Sequence, residues 1–178
     1  MSLPHALLTS LMEKSSSGYD LAQRFDKSIG HFWHATHQQI YRELARMEER
    51  GWIASKPAAD AGKTRKREYR VLPRGRAELA RWANEAGTPL DLRDALMVKV
   101  RAAAALPGIE LDGEIEDRLQ GHAQQLAHYR EIEQRDFPSP DTTRTQRLQH
   151  LLLRRGILYE EASIAWLKEL QNVLRQKG

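Results

Sequence analysis

The chain has 178 residues, 40% apolar and 29% charged, which suits one ordinary domain or two small ones with a modest core. It contains no cysteine, which excludes a disulfide framework, a thiolate zinc site and a thiol nucleophile. Its net charge of +4 is uneven: residues 1–87 hold 15 Lys+Arg against 10 Asp+Glu, and residues 88–178 hold 13 against 14, so the first half suits a polyanionic partner and the second a different task.

No run of 18 apolar residues is present, so no membrane span is expected. The start, "MSLPHALLTSL", lacks the basic region and cleavage site of a signal peptide, which points to the cytoplasm. Leu3, Leu7, Leu8, Leu11 and Met12 recur at helical spacing and predict a helix over 3–14, broken by "SSSG". Ser17 followed by Asp20 has the form of an N-cap for a second helix, 18–29, which Gly30 ends. "THQQ" then reads as a capping box, with Thr36 at the cap, Gln39 three residues on, and Ala35 and Ile40 placed as a small hydrophobic staple. The third helix runs from about 37 to 50, with Ile40, Leu44 and Met47 as its buried stripe and Gly51 as its stop. Two strand-like pieces, 52–56 and 67–72, flank a basic loop and predict a long-tipped hairpin. Pro73 opens a fourth helix to about 86, carrying Ala77, Leu79, Ala80, Trp82 and Ala83. After a linker at 87–91, three further helices are expected at 91–105, 112–136 and 142–176. Such long helices cannot bury their stripes on one another completely, which points to a second copy of the chain.

This order of helices, strands and basic loop is that of a winged helix-turn-helix, whose third helix enters the DNA major groove while the wing touches the backbone. The expected fold is mainly α with a small β wing: a DNA-binding domain over 1–87 and an all-helical dimerisation domain over 88–178. The outer face of the third helix offers Thr36, His37, Gln38, Gln39, Tyr41 and Arg42. Gln can read adenine and Arg guanine, while hydroxyls and the helix N-terminus suit phosphates. The wing adds Lys63, Arg65, Lys66 and Arg67 as flexible cations for the backbone. Taken singly, each feature also reads as an ordinary solvated face, and Tyr41 as core; their joint order carries the inference.

The quoted segments "SGYDLAQRF", "QIYRELARMEERGWI" and "RKREYRVLPRGRAEL" resemble the N-terminal domain of the PadR-like transcriptional regulators, and "LRDALMVKV" resembles the start of that family's helical C-terminal region. The resemblance implies a homodimeric winged-helix regulator, a repressor more often than not, that binds a palindromic operator in double-stranded DNA and responds to a small hydrophobic or aromatic effector. It places Tyr41 at a phosphate, Gln39 and Thr36 at polar positions of the same helix, and Lys63, Arg65 and Lys66 at the wing tip. It gives Tyr69 a packing role in the wing and Tyr19 a mainly structural one. Pro73 stands where the family usually has a Thr cap, a change compatible with the same helix start.

Trp33 and Trp52 are expected in the core, while Trp82 and Trp166 are candidate walls for a planar effector, although both also suit plain packing. Arg154 and Arg155 are candidate partners for Glu160, Glu161 or a second chain. A second reading makes His31, His34 and His37 a metal site for a sensor or hydrolase. The cap at Thr36 argues against one helix running through all three, there is no HExxH, and no acidic residue lies between Gly30 and Arg42. A third reading is a helical protein-interaction module, against which the basic wing counts. No catalytic residue and no cofactor is expected.

Overall fold

A computed structural model describes residues 3–26, 35–57, 67–87, 93–139 and 143–176. The chain divides into two compact units, Met1–Leu90 and Asp91–Gly178.

The first unit holds helices α1 (Leu3–Glu13), α2 (Gly18–Asp26), α3 (His37–Glu49) and α4 (Pro73–Ala83), and strands β1 (Ser16–Ser17), β2 (Ile53–Pro57) and β3 (Arg67–Val71). Its core is continuous across the first three helices and β2: Leu7, Leu8, Leu11, Leu21, Ala22, Phe25, Ile40, Leu44, Met47 and Ile53 pack together. These are the positions that helical periodicity turns to one side of each helix, and their burial is what holds short helices in place. Trp52 packs partly buried against the same cluster. Trp33, and the expected end of α2 at Ile29 and Gly30, lie outside the described residues.

Helix boundaries follow local chemistry. The Asp20 amide donates to Ser17 Oγ at 3.1 Å, and that hydroxyl donates to the Asp20 carboxylate at 2.6 Å, closing the start of α2. Arg24 of α2 reaches back to the Ser10 and Lys14 carbonyls at 2.6 and 2.8 Å and to Ser16 Oγ at 2.7 Å, so one guanidinium ties α1 and β1 to α2. α3 ends in a Schellman turn: Gly51 has φ +68, its amide donates to the Glu48 carbonyl, and the Trp52 amide donates to the Met47 carbonyl. α4 begins at Pro73 as expected, but it ends at Ala83, three residues early, with Asn84 as its cap. Its buried residue is Gly75 rather than its alanines or Trp82. A Cβ there would sit 2.2 Å from the Trp52 carbonyl oxygen, so only glycine lets α4 lie this close to the turn after α3.

The sheet order is β1-β3-β2, all antiparallel. β2 and β3 form the expected hairpin, with Ser55 opposite Tyr69 and Pro57 opposite Arg67. β1 was not expected: its two serines pair with Tyr69 and Glu68, and their strand conformation comes from β3 beside them, not from any propensity of their own.

The second unit holds α5 (Ala95–Ala103), α6 (Asp112–Asp136) and α7 (Arg144–Arg175). α5 starts later than expected because Asp94 caps it, accepting the Leu96 amide at 2.9 Å and receiving Arg118 on both oxygens at 3.0 Å. Thr143 and Gln146 close a capping box at the start of α7. Leu96, Leu111, Ile115, Leu167 and Leu170 form the buried cluster, with Trp166 packed partly buried against it. Between α6 and α7, Glu160 is paired with His122, Arg130 with Glu161, and His150 with Glu133. The expected pairing of Arg154 or Arg155 with these glutamates is therefore corrected: Glu160 and Glu161 are taken by α6, and Arg155 lies over the Tyr159 ring. No helix among the described residues is long and apolar enough to cross a membrane.

Candidate nucleic-acid interface

The interface begins at Thr36, whose backbone is extended (φ −75, ψ 153) and whose hydroxyl accepts the Gln39 amide at 3.2 Å. The Gln39 side chain returns the bond, its Oε1 accepting the Thr36 amide at 2.8 Å. Gln39 is thus committed to starting the helix, while Gln38, its neighbour, is exposed. No carboxylate lies in the first turn of α3, so the positive end of the helix is left uncompensated for an anion.

His37, Gln38, Gln39, Tyr41 and Arg42 are all exposed while Ile40, Leu44 and Met47 are fully buried. Gln38 and Arg42, four residues apart, share one stripe of that outer face, and His37 and Tyr41 share the next. Tyr41 is 45% exposed, neither core nor fully free. Its ring lies over Gly18 at the start of α2, where an added Cβ would meet Tyr41 Cε1 at 2.6 Å. Gly18, itself buried, supports this surface from beneath, a role that sequence pattern does not announce, since only the tertiary contact gives it one. Tyr19, beside it, is exposed, and its hydroxyl accepts Gln23 Nε2 at 2.7 Å.

On the hairpin, Arg67 is exposed and lies 3.3 Å from Glu48 of α3. Tyr69 packs against the core, and burial, with the Glu48 charge adding to it, pushes its phenol above the ordinary value and keeps it neutral. Lys63, Arg65 and Lys66 lie outside the described residues, as do His31 and His34. Among the described residues no group of three or more His, Cys, Asp or Glu is placed to hold a metal ion.

The two candidate effector residues fall in different units. Trp82 stacks on His5, rings 4.5 Å apart and 8° from parallel, and His5 Nε2 lies 3.0 Å from Glu78. Hydrogen bonds from Arg81 and then His5 pull the Glu78 carboxyl down to about 2. Next to this cluster a cleft of about 330 Å³ is lined by Trp52, Arg74, Ala77, Glu78 and Arg81. Trp166 sits in the helical unit against Leu96 and its neighbours.

The likeness to known proteins spans both units. Residues 7–81 match the profile described as the transcriptional regulator PadR-like family, and residues 92–175 match that described as virulence activator alpha C-term. A probable transcriptional regulator of Mycobacterium tuberculosis, Rv1176c, is 41% identical over 99% of this chain and all of its own length. The Vibrio cholerae virulence activator AphA superposes with a TM-score of 0.81 at 32% identity, covering 97% of this chain and 98% of its own. The negative transcriptional regulator PadR of Bacillus subtilis is 28% identical over 94% of each chain. The structure of that PadR in complex with operator DNA superposes with a TM-score of 0.84 at 24% identity, over 96% of this chain and 97% of the other, and PadR is also known in complex with p-coumaric acid. These relatives are regulators and not enzymes. From its helical frame, its wing and its likeness to them over nearly its full length, the chain belongs to the PadR-like family of transcriptional regulators.

Proposed function

We propose that the protein is a homodimeric repressor that binds a palindromic operator in double-stranded DNA and is released by a planar aromatic effector. The observation that carries the DNA reading is the division of α3: Ile40, Leu44 and Met47 are sealed in the core while Gln38 and Arg42 stand one turn apart on the exposed face. In this reading Gln38 and Arg42 meet base edges in the major groove. Thr36, His37, Tyr41 and the uncompensated end of α3 meet phosphates, and Arg67 with Lys63, Arg65 and Lys66 grips the backbone beside them. A helix of 32 residues that leaves a row of leucines uncovered supports pairing with a second copy. PadR's operator complex supports the partner, its name supports repression, and its complex with p-coumaric acid supports an aromatic acid as effector. Trp82 in the first unit and Trp166 in the second are each proposed as an aromatic contact for the effector.

The test is a binding titration with duplexes that the wild-type protein selects from random sequence. Gln38→Ala and Arg42→Ala are each expected to cost about 1–3 kcal/mol of discrimination at one base position. Binding is expected to weaken steeply with salt. Selection of no sequence, or salt-independent binding, contradicts the reading. Added p-coumaric acid is expected to release the DNA, and repression is checked by a reporter that rises when the protein is removed.

A further inference from the structure

Glu48 stands in the last turn of α3, and one of its oxygens collects donors from both strands of the wing. Oε1 accepts the Ser55 amide at 3.0 Å and the Ser55 hydroxyl at 2.6 Å, and Arg67 Nη2 lies 3.3 Å from it. Ser55 belongs to β2 and Arg67 to β3. β2 is an outer strand of the sheet, with β3 on one side. The Ser55 amide turns to the other side, where an unpaired donor would otherwise face open edge. Arg67, opposite Pro57, is the last described pair before residues 58–66. Ser55 sits opposite Tyr69, whose ring packs on the core and whose phenol feels the Glu48 charge after burial itself. The helix and the hairpin are also joined by the turn at Gly51 and by Ile53, Tyr69 and Val71 on the shared core, none of them a residue that Glu48 holds.

Two surfaces that must meet different parts of one duplex bind well only if their relative angle is fixed beforehand. From this geometry we infer that Glu48 is a positioning residue: it locks the wing to the recognition helix at the angle DNA binding requires, through Ser55 on one strand and Arg67 on the other. This rests on the DNA reading proposed above. It also reverses the ordinary expectation for a carboxylate near a DNA-facing surface. Removing such a charge lessens repulsion from phosphates and frees Arg67, which by electrostatics alone strengthens binding. Glu48 as a positioning residue requires the opposite sign.

The experiment compares wild type, Glu48→Ala, Glu48→Gln and Ser55→Ala on the duplex that wild type selects, across a salt series, with Ser55 amide exchange followed in the free proteins. Glu48→Ala is expected to bind about tenfold more weakly and with a flatter salt dependence, because a charged acceptor of three donors is lost and the wing leaves its register. Glu48→Gln keeps a carbonyl acceptor for Ser55 and loses only the charge opposite Arg67, so it recovers to within about threefold of wild type. Ser55→Ala loses one hydroxyl donor and is expected to bind about threefold more weakly. Ser55 amide exchange quickens in Glu48→Ala. If Glu48→Ala fails to fold, Ser55→Ala decides the matter. Glu48→Ala or Ser55→Ala binding as tightly as wild type, or more tightly, at every salt concentration overturns the inference. Failure of wild type itself to select a sequence instead overturns the DNA reading, so the two failures are told apart.

Discussion

In the first unit Leu7, Leu8, Leu21, Phe25, Ile40, Leu44 and Met47 are all at 0% exposure, whereas in the second α7 leaves Leu148, Leu151, Leu152, Leu158 and Val173 between 48% and 60% exposed. Both units are built mainly of helices, but only the first closes its apolar surface on itself. Its helices are short and cross around one cluster, with the sheet and Gly75 letting the turn after α3 seat against α4. The second unit has two long helices, α6 and α7, joined by a buried cluster near one end, by Tyr129 of α6 packed on Gly156 of α7 with Ile157 buried beside it, and by ion pairs such as Arg130–Glu161. Exposed pairs of this kind, screened by solvent, contribute little. An apolar row that long in a single chain has the character of half an interface. One unit therefore closes its core on itself, and the other leaves an apolar face open, the face proposed to meet a second copy.

That contrast can be broken by mutation. Leu44→Ala should destabilise the first unit by about 2–5 kcal/mol, measured by urea unfolding, and leave the helical unit's assembly intact. Replacing Leu151 and Leu158, one heptad apart on α7, with Asp should do the reverse. Sedimentation should then show a dimer dissociation constant raised at least roughly 100-fold, with the first unit's unfolding unchanged. If Leu44→Ala dissociates the protein, or the double Asp variant unfolds the first unit, the division of labour drawn here is wrong.

Smaller effects sharpen it. Thr36→Ala removes a cap from α3 and should cost about 1 kcal/mol of stability, confined to the first unit. The Glu78 carboxyl, held at about 2 against an ordinary 4.5 by Arg81 and His5, contributes stability that is fully present above about pH 4.5 and lost as pH falls towards 2. Glu78→Gln should flatten the unfolding curve of the first unit in that window. An unchanged acid profile would show that the His5–Glu78–Arg81 cluster does not stabilise α4.

The frame of the first unit was legible because its signals are local. Thr36 and Gln39 announce a capping box, Gly51 a stop and Pro73 a start, and the structure follows each. The apolar stripe of α3 was legible for the same reason, and with it the outer face that the proposed interface uses. What sequence did not disclose depends on distant neighbours. Ser16 and Ser17 are a strand only because β3 lies beside them. Tyr41 is half-covered only because Gly18 comes under its ring. Glu48 reads as one more charge on a helix until Ser55 and Arg67 converge on it. Asp94 shortens α5 through a cap that an apolar pattern running on from Leu90 conceals. Proximity in sequence offers Glu160 and Glu161 to Arg154 and Arg155, but α6 supplies the partners of both glutamates, which leaves the second chain as the other expected partner of the arginines.

The central claim, that the first unit reads DNA while the second sets the spacing between two such units, is tested most directly by footprinting the wild-type protein on its selected duplex. The account predicts two protected patches on one face of the DNA, centred about 34–36 Å apart, which disappear together in the Leu151→Asp, Leu158→Asp variant. A single patch, or two patches that survive loss of the dimer, would contradict it.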